Sequence, residues 1–166
     1  AMEILRKGGD ALEAAVAAVR HMEDSGVLNA GSGSMGRKAP DGTFVVQMDA
    51  AVGTSAGLWG AVGAVEGIRN PIDFALALAI AGGSALLAGK DATDRAKAMG
   101  FLLRNPRMDE VALARHEEFL RQQGDLSSQA SETVGAIAVD LNGLVAVATS
   151  TGGFGDMELG RVGDVA

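Results

Sequence analysis

A chain of 166 residues suffices for one domain that buries about two-thirds of its unfolded surface, and 48% hydrophobic residues with a mean hydropathy of +0.20 require a packed core rather than disorder. A formal net charge of −7 without any basic run argues against nucleic acid and against an anionic membrane as partners. The absence of cysteine excludes a disulfide framework and a thiolate metal site and suits a cytoplasmic setting, and no stretch approaches the roughly 20 apolar residues of a membrane span.

The first residues, Ala1 to Lys7, lie within a helical pattern, and no apolar core of a signal peptide follows their charges. Asp10 with Glu13 caps a helix whose apolar face is Leu12, Ala15, Val16, Val19 and Met22. Ser25 to Lys38 reads as loop around Asn29-Ala30-Gly31-Ser32-Gly33-Ser34. Thr43 to Val52 reads as a strand after the Asp41-Gly42 turn, and Gly60 to Val65 as a strand of small residues, although a glycine-rich helix has the same pattern. Asn70-Pro71 opens a helix with its cap at Asn70, containing Phe74, Leu76, Leu78 and Ile80. A short strand over Ser84 to Ala88 follows, and Asp91 caps a further helix running toward Gly100.

From Met108 to Glu132 charges, glutamines and serines dominate. This predicts a solvated helix to about Gln123 and then a flexible linker. Val134–Leu141 and Leu144–Thr149 flank Asn142-Gly143, the signature of a type I′ hairpin. Both faces of the first strand are apolar, with Ile137, Val139 and Leu141 on one and Val134, Ala136 and Ala138 on the other. Such a strand belongs to a sheet covered on both sides, as in a layered helix–sheet–sheet–helix sandwich.

Several motifs carry no chemistry. Gly31-Ser32-Gly33-Ser34-Met35-Gly36 matches GxGxxG, but it follows a helix and loop and opens no helix; Lys38 also stands one place too late for a phosphate loop. His21 and His116 sit in polar helical settings and read as surface residues, and two histidines make a serine–histidine–carboxylate triad hard to assemble. Asp109-Glu110 and Glu117-Glu118 read as solvated helix faces, and no transition-metal ligand spacing occurs.

Thr133 is different because a polar linker meets an apolar strand there. It reads either as a β-branched residue starting a strand or as a nucleophile, since a cut between Glu132 and Thr133 would give its hydroxyl an α-amine as its own base. Arg161 and Asp164 read either as a surface ion pair or as grips for a ligand's end groups.

Thr133-Val134-Gly135-Ala136-Ile137-Ala138-Val139-Asp140, Thr149-Ser150-Thr151-Gly152-Gly153 and Gly160-Arg161-Val162-Gly163-Asp164 together resemble the plant-type L-asparaginases, or isoaspartyl peptidases. These are N-terminal nucleophile hydrolases of the threonine type. The likeness extends through Asn29-Ala30-Gly31, Met48-Asp49-Ala50-Ala51-Val52, Ile68-Arg69-Asn70-Pro71 and Leu86-Leu87-Ala88-Gly89, in order and across nearly the whole chain.

The resemblance implies an α/β fold of the αββα type as one domain, 1–166, incomplete in this chain. Residues 1–132 would be the α-chain part, ending in a linker at about 108–132, and 133–166 the start of the β chain. It implies self-cleavage before Thr133 and attack by Thr133 on L-asparagine or on a β-aspartyl (isoaspartyl) peptide, with Thr151 bonding the nucleophile and Thr149 helping to place it. Arg161 would hold the substrate α-carboxylate, as a guanidinium fork suits that planar group, and Asp164 the α-ammonium; Gly163 and Asn29 would line the site. No cofactor is required. A structural sodium ion on the backbone carbonyls of Met22, Glu23, Ser25, Leu28, Ala30 and Ser32 is implied, as is a dimer of cleaved αβ units.

Three departures carry expectations of their own. Glu132 stands where the family has glycine, which should slow self-cleavage. The family's opening strand and its closing stretch, including the oxyanion hole, fall outside these residues, so the 166-residue chain alone should be weak or inert. Two other readings remain: a glycosylasparaginase-like hydrolase, whose members tend to carry asparagine at the position of Gly152, and a non-catalytic amino-acid-binding or structural domain.

Overall fold

A computed structural model of the chain describes residues 1–83, 85–101, 103–104, 106–122, 133–153 and 157–166. A short helix α1 (Met2–Arg6) precedes α2 (Ala11–Asp24), a 3-10 turn over Gly31–Gly33, and the strands β1 (Arg37–Lys38), β2 (Phe44–Val45), β3 (Gln47–Thr54) and β4 (Trp59–Glu66). Helix α3 (Pro71–Ala81), strand β5 (Leu86–Ala88), helices α4 (Gly89–Ala98) and α5 (Pro106–Arg121), and strands β6 (Val134–Val139) and β7 (Val145–Thr151) follow. The main sheet has five strands in the order β5-β4-β3-β7-β6, antiparallel except for the β4–β5 pair; β1 and β2 form a separate two-stranded ribbon. Among the described residues no helix is long and apolar enough to cross a membrane.

The local signals act as expected at several points. Asp10 caps α2, its carboxylate accepting from Glu13 N at 2.7 Å, and the apolar stripe of α2 packs on β6 and β7. Pro71 occupies the first turn of α3 behind Asn70. Helix α3 lies so close to β4 that a Cβ on Gly60 would stand 2.5 Å from Ala79 N and 2.6 Å from Ala75 O, which only glycine permits. Between the helices and the sheet lie Met48, Ala50, Val52, Val62, Val134, Ala146 and Ala148, all buried. Their small size lets helix and sheet backbones approach.

Other expectations are corrected. The strand expected over Thr43–Val52 breaks at Val46, because its first residues pair with β1 in the small ribbon and the rest joins the main sheet. Asp91 lies inside the first turn of α4, whose cap is Ala88. The short strand begins at Leu86; Ser84 lies outside the described residues, as do residues 123–132 of the expected linker. The hairpin turn is not type I′: Gly143 has φ +80°, but Asn142 does not share it, and Gly143 N bonds Asp140 O at 3.1 Å. Asp140 Oδ1 takes the Asn142 and Leu144 N–H groups, which gives a type I turn closed by a left-handed glycine. His116 is buried, not solvated, at 5% exposure, with its ring 6.0 Å from that of Phe44.

Among the described residues strands β6 and β7 are covered by helix on one face only. Ile137 is 76% exposed, Val139 55% and Val147 40%, whereas Val134, Ala146 and Ala148 on the opposite face are buried under α2. For these two strands the expectation of cover on both sides is therefore met on one side alone among the described residues.

Candidate active site

The ladder registers place the threonines. Thr151 pairs with Asp49 across β3–β7, and Val134 pairs with Ser150 across β6–β7, so Thr133 and Thr151 end adjacent strands side by side. Their hydroxyl oxygens are 3.4 Å apart, longer than a tight hydroxyl hydrogen bond but in direct reach of one. Thr151 Oγ1 also accepts Gly153 N at 3.1 Å, which fixes its rotamer. Alternation along β6 and β7 puts Thr133, Thr149 and Thr151 on the open face of the sheet, with Ser150 on the helix face. Thr149 Oγ1 donates to Val165 O at 3.1 Å and so ties the closing segment to β7 rather than touching Thr133. Glu132, on the other side of the expected cut, lies outside the described residues.

Asn29 joins the loop after α2 to the residues that follow β7. Its Nδ2 donates to Gly153 O at 2.7 Å, its Oδ1 accepts Met35 N at 2.8 Å, and its backbone carbonyl accepts Gly152 N at 2.8 Å. A Cβ on Gly152 would collide with Asn29 Oδ1 and stand 2.6 Å from Ser34 Cβ, so glycine is needed for this closure. Arg161 and Asp164 are exposed, on the segment that runs from Gly160 to Val165 over the open face. Gly160 N donates to Gln47 Oε1 at 2.8 Å and Gly163 N to Asp49 Oδ2 at 3.0 Å.

The loop expected to hold sodium is built from backbone carbonyls. Those of Met22, Leu28 and Ala30 accept local N–H groups, and Gly33 admits no Cβ because Leu28 O fills that space. Ser32 Oγ is buried without a hydrogen-bond partner among the described residues. Neutral oxygens with one orphan hydroxyl fit a hard monovalent cation. The alternate carbonyls of the loop are taken by guanidinium groups from the α5 region: Arg115 donates to Gly33 O at 2.6 Å and to Gly26 O at 3.1 Å, with Val27 O also accepting, and Arg104 donates to Gly31 O.

Four buried or half-buried charges escaped sequence reasoning. Arg37, 2% exposed, directs Nη2 toward Gln47 O and Gly152 O, each at 3.4 Å. Glu23 is fully buried behind β7, where Oε1 accepts Ser150 Oγ at 2.7 Å and Ile72 N at 3.1 Å, and Oε2 accepts Asn70 Nδ2 at 3.1 Å. Burial pushes its carboxyl up to about 8, against the downward pull of those bonds. Arg104 and Asp49 complete the set, Asp49 being 4% exposed. Only Asp49 left a trace in the sequence, as a carboxylate interrupting the apolar run Val45 to Val52.

The family model described as asparaginase matches residues 1–166. The chain is 36% identical to the isoaspartyl peptidase/L-asparaginase of Xenopus laevis over 99% of its own length and 53% of that protein's. It is 39% identical to the plant-type L-asparaginase of Pyrobaculum calidifontis over 94% of this chain and 54% of that protein, and 37% identical to the isoaspartyl peptidase/L-asparaginase of Homo sapiens over 97% and 53%. The chain thus spans about half the length of the curated relatives it matches. With threonines ending adjacent strands and a match along its full length, this chain belongs to the asparaginase family.

Proposed function

We propose that these residues carry the nucleophile of an amidohydrolase acting on L-asparagine or on β-aspartyl peptides. Cleavage after Glu132 frees the α-amine of Thr133, whose reference pKa of about 7.7–8.0 suits a base near neutrality. The amine takes the proton from the Thr133 hydroxyl as the oxygen attacks the substrate's side-chain carbonyl. The amide C–N bond then breaks, and the amine returns the proton to the departing nitrogen. Water, deprotonated by the same amine, releases the product acid from the resulting ester. Thr151 bonds the nucleophile, Arg161 and Asp164 hold the α-carboxylate and α-ammonium, and Gly163 and Asn29 line the site.

The observation that carries this reading is the 3.4 Å approach of Thr133 Oγ1 to Thr151 Oγ1 beside the anchored Arg161–Asp164 segment. The space at Gly152 favours the asparaginase branch over a glycosylasparaginase, because a side chain there would meet Asn29 and Ser34. The carbonyls of Met22, Glu23, Ser25, Leu28, Ala30 and Ser32 would hold a structural sodium ion that lends charge to the Asn29 loop. The open face bearing Ile137, Val139 and Val147 would receive a second sheet, and cleaved units would pair as a dimer. The test is the mass of the purified whole protein and of Thr133→Ala. Two fragments meeting at Glu132/Thr133 with ammonia release from asparagine are expected for the wild type, and an uncut, inert chain for the variant; turnover surviving in Thr133→Ala would overturn the reading.

A further inference from the structure

The ladder between β3 and β4 is irregular at one place. Met48 pairs with Val65 and Ala50 with Val62, so Asp49 faces two residues, Gly63 and Ala64. This bulge re-aims the backbone as bulges beside functional sites do. It forces Ala64 to φ +48°, a conformation that residues with a side chain rarely adopt. The strained N–H of Ala64 points at Asp49 and donates to Oδ1 at 2.7 Å.

The second oxygen of the same carboxylate has a different partner. Asp49 Oδ2 accepts Gly163 N at 3.0 Å, on the stretch between Arg161 and Asp164. The other half of the bulge serves the same segment, because a Cβ on Gly63 would stand 2.6 Å from Val162 Cγ2 and only glycine leaves room for that valine. A Cβ built on Gly163 would be 3.5 Å from both Asp49 Oδ2 and Arg161 Nη1, so carboxylate and guanidinium flank one backbone carbon. On its other side Asp49 is the ladder partner of Thr151, whose hydroxyl meets that of Thr133.

We propose that Asp49 is a positioning residue: it sets the Arg161–Asp164 segment at a fixed distance from Thr133 by holding Gly163 N with one oxygen and the Ala64 bulge with the other. A carboxylate with a charge-assisted bond to each of two backbone amides is stiffer than a neutral side chain could be. The inference rests on the amidohydrolase reading, since it concerns how the substrate's amino-acid end is registered against the nucleophile.

The test is Asp49→Asn in the whole protein, assayed for processing and for L-asparagine hydrolysis. The amide keeps an oxygen for Ala64 N but turns a donor toward Gly163 N. Expected are complete processing, a KM raised about tenfold and a kcat within threefold of wild type, because the grip on the end groups is misplaced while the threonine pair is intact. A KM within twofold of wild type, with kcat or processing reduced instead, would overturn the proposal and leave Asp49 a structural residue. Should Asp49→Asn fail to fold, the same constants are read in Asp49→Asn/Ala64→Gly against Ala64→Gly, where glycine accepts the positive φ without help from Asp49. Wild-type protein that folds yet hydrolyses neither asparagine nor a β-aspartyl peptide would instead overturn the amidohydrolase reading itself.

Discussion

Replacing Gly152 by alanine puts one methyl group where the chain closes behind the threonine pair. The new Cβ would overlap Asn29 Oδ1 and stand 2.6 and 2.7 Å from Ser34 Cβ and Cα. Neither neighbour can yield easily, since Ser34 is fully buried and Asn29 is held by three hydrogen bonds. Overpacking of this kind costs about 1–3 kcal/mol, and loss of the Gly152 N–Asn29 O and Asn29 Nδ2–Gly153 O bonds adds about 1 kcal/mol each. The expected loss is therefore about 3–5 kcal/mol, or roughly 6–20 °C in melting temperature for a domain of this size. Displacing Gly153 N also frees the Thr151 hydroxyl, and misplacement of a reacting group by about 1 Å costs on the order of 100-fold in rate. Differential scanning calorimetry and ammonia release from asparagine measure both, with Gly83→Ala as the control, because nothing lies within 4 Å of a Cβ there. A Gly152→Ala protein that melts within a degree or two of wild type and keeps its rate would refute the steric argument.

Two further outcomes follow from buried groups. Glu23→Ala leaves the Ser150 hydroxyl and Ile72 N without their acceptor, removes one of the two acceptors of the Asn70 amide and opens a cavity, and urea unfolding should report a loss of about 3–5 kcal/mol; a loss below about 1 kcal/mol would show that water replaces the carboxyl. Burial, aided by the Lys38 charge, holds the His116 imidazole below its ordinary 6.5, so the unfolded chain binds that proton more readily; its contribution to stability is present above pH 6.5 and lost as pH falls below it. Melting temperatures at pH 7.5 and 5.5 should diverge less in His116→Gln than in wild type.

What was legible in the sequence was local. The Asp10 cap, the Asn70-Pro71 start and the alternation of β6 are each settled by residues within a few positions of one another, and the structure places these elements accordingly. The type I′ expectation failed because Asp140 supplies an acceptor for Asn142 N and Leu144 N, and that side-chain bond selects a different turn from the same Asn-Gly pair. His116 looked solvated because its helix is polar; only the distant Phe44 and the β1–β2 ribbon reveal that its face of α5 is docked. Burial of Glu23, Arg37 and Asp49 draws on partners 127, 115 and 15 positions away respectively, a span over which no periodicity speaks. The threonine at the strand end was visible as a seam in composition, whereas its neighbour Thr151 came only through family likeness and then through the ladder.

The six residue pairs between β3 and β7, Asp49–Thr151 through Thr54–Ala146, join stretches that lie on opposite sides of the bond before Thr133. Breaking that bond would leave two polypeptides sharing a single sheet, much as two halves of a zip remain closed after the tape is snipped. They would travel together in native electrophoresis and part only in denaturant. From then on unfolding would be a dissociation: its midpoint should climb with protein concentration, and a molecule once pulled apart must find its other half again by diffusion.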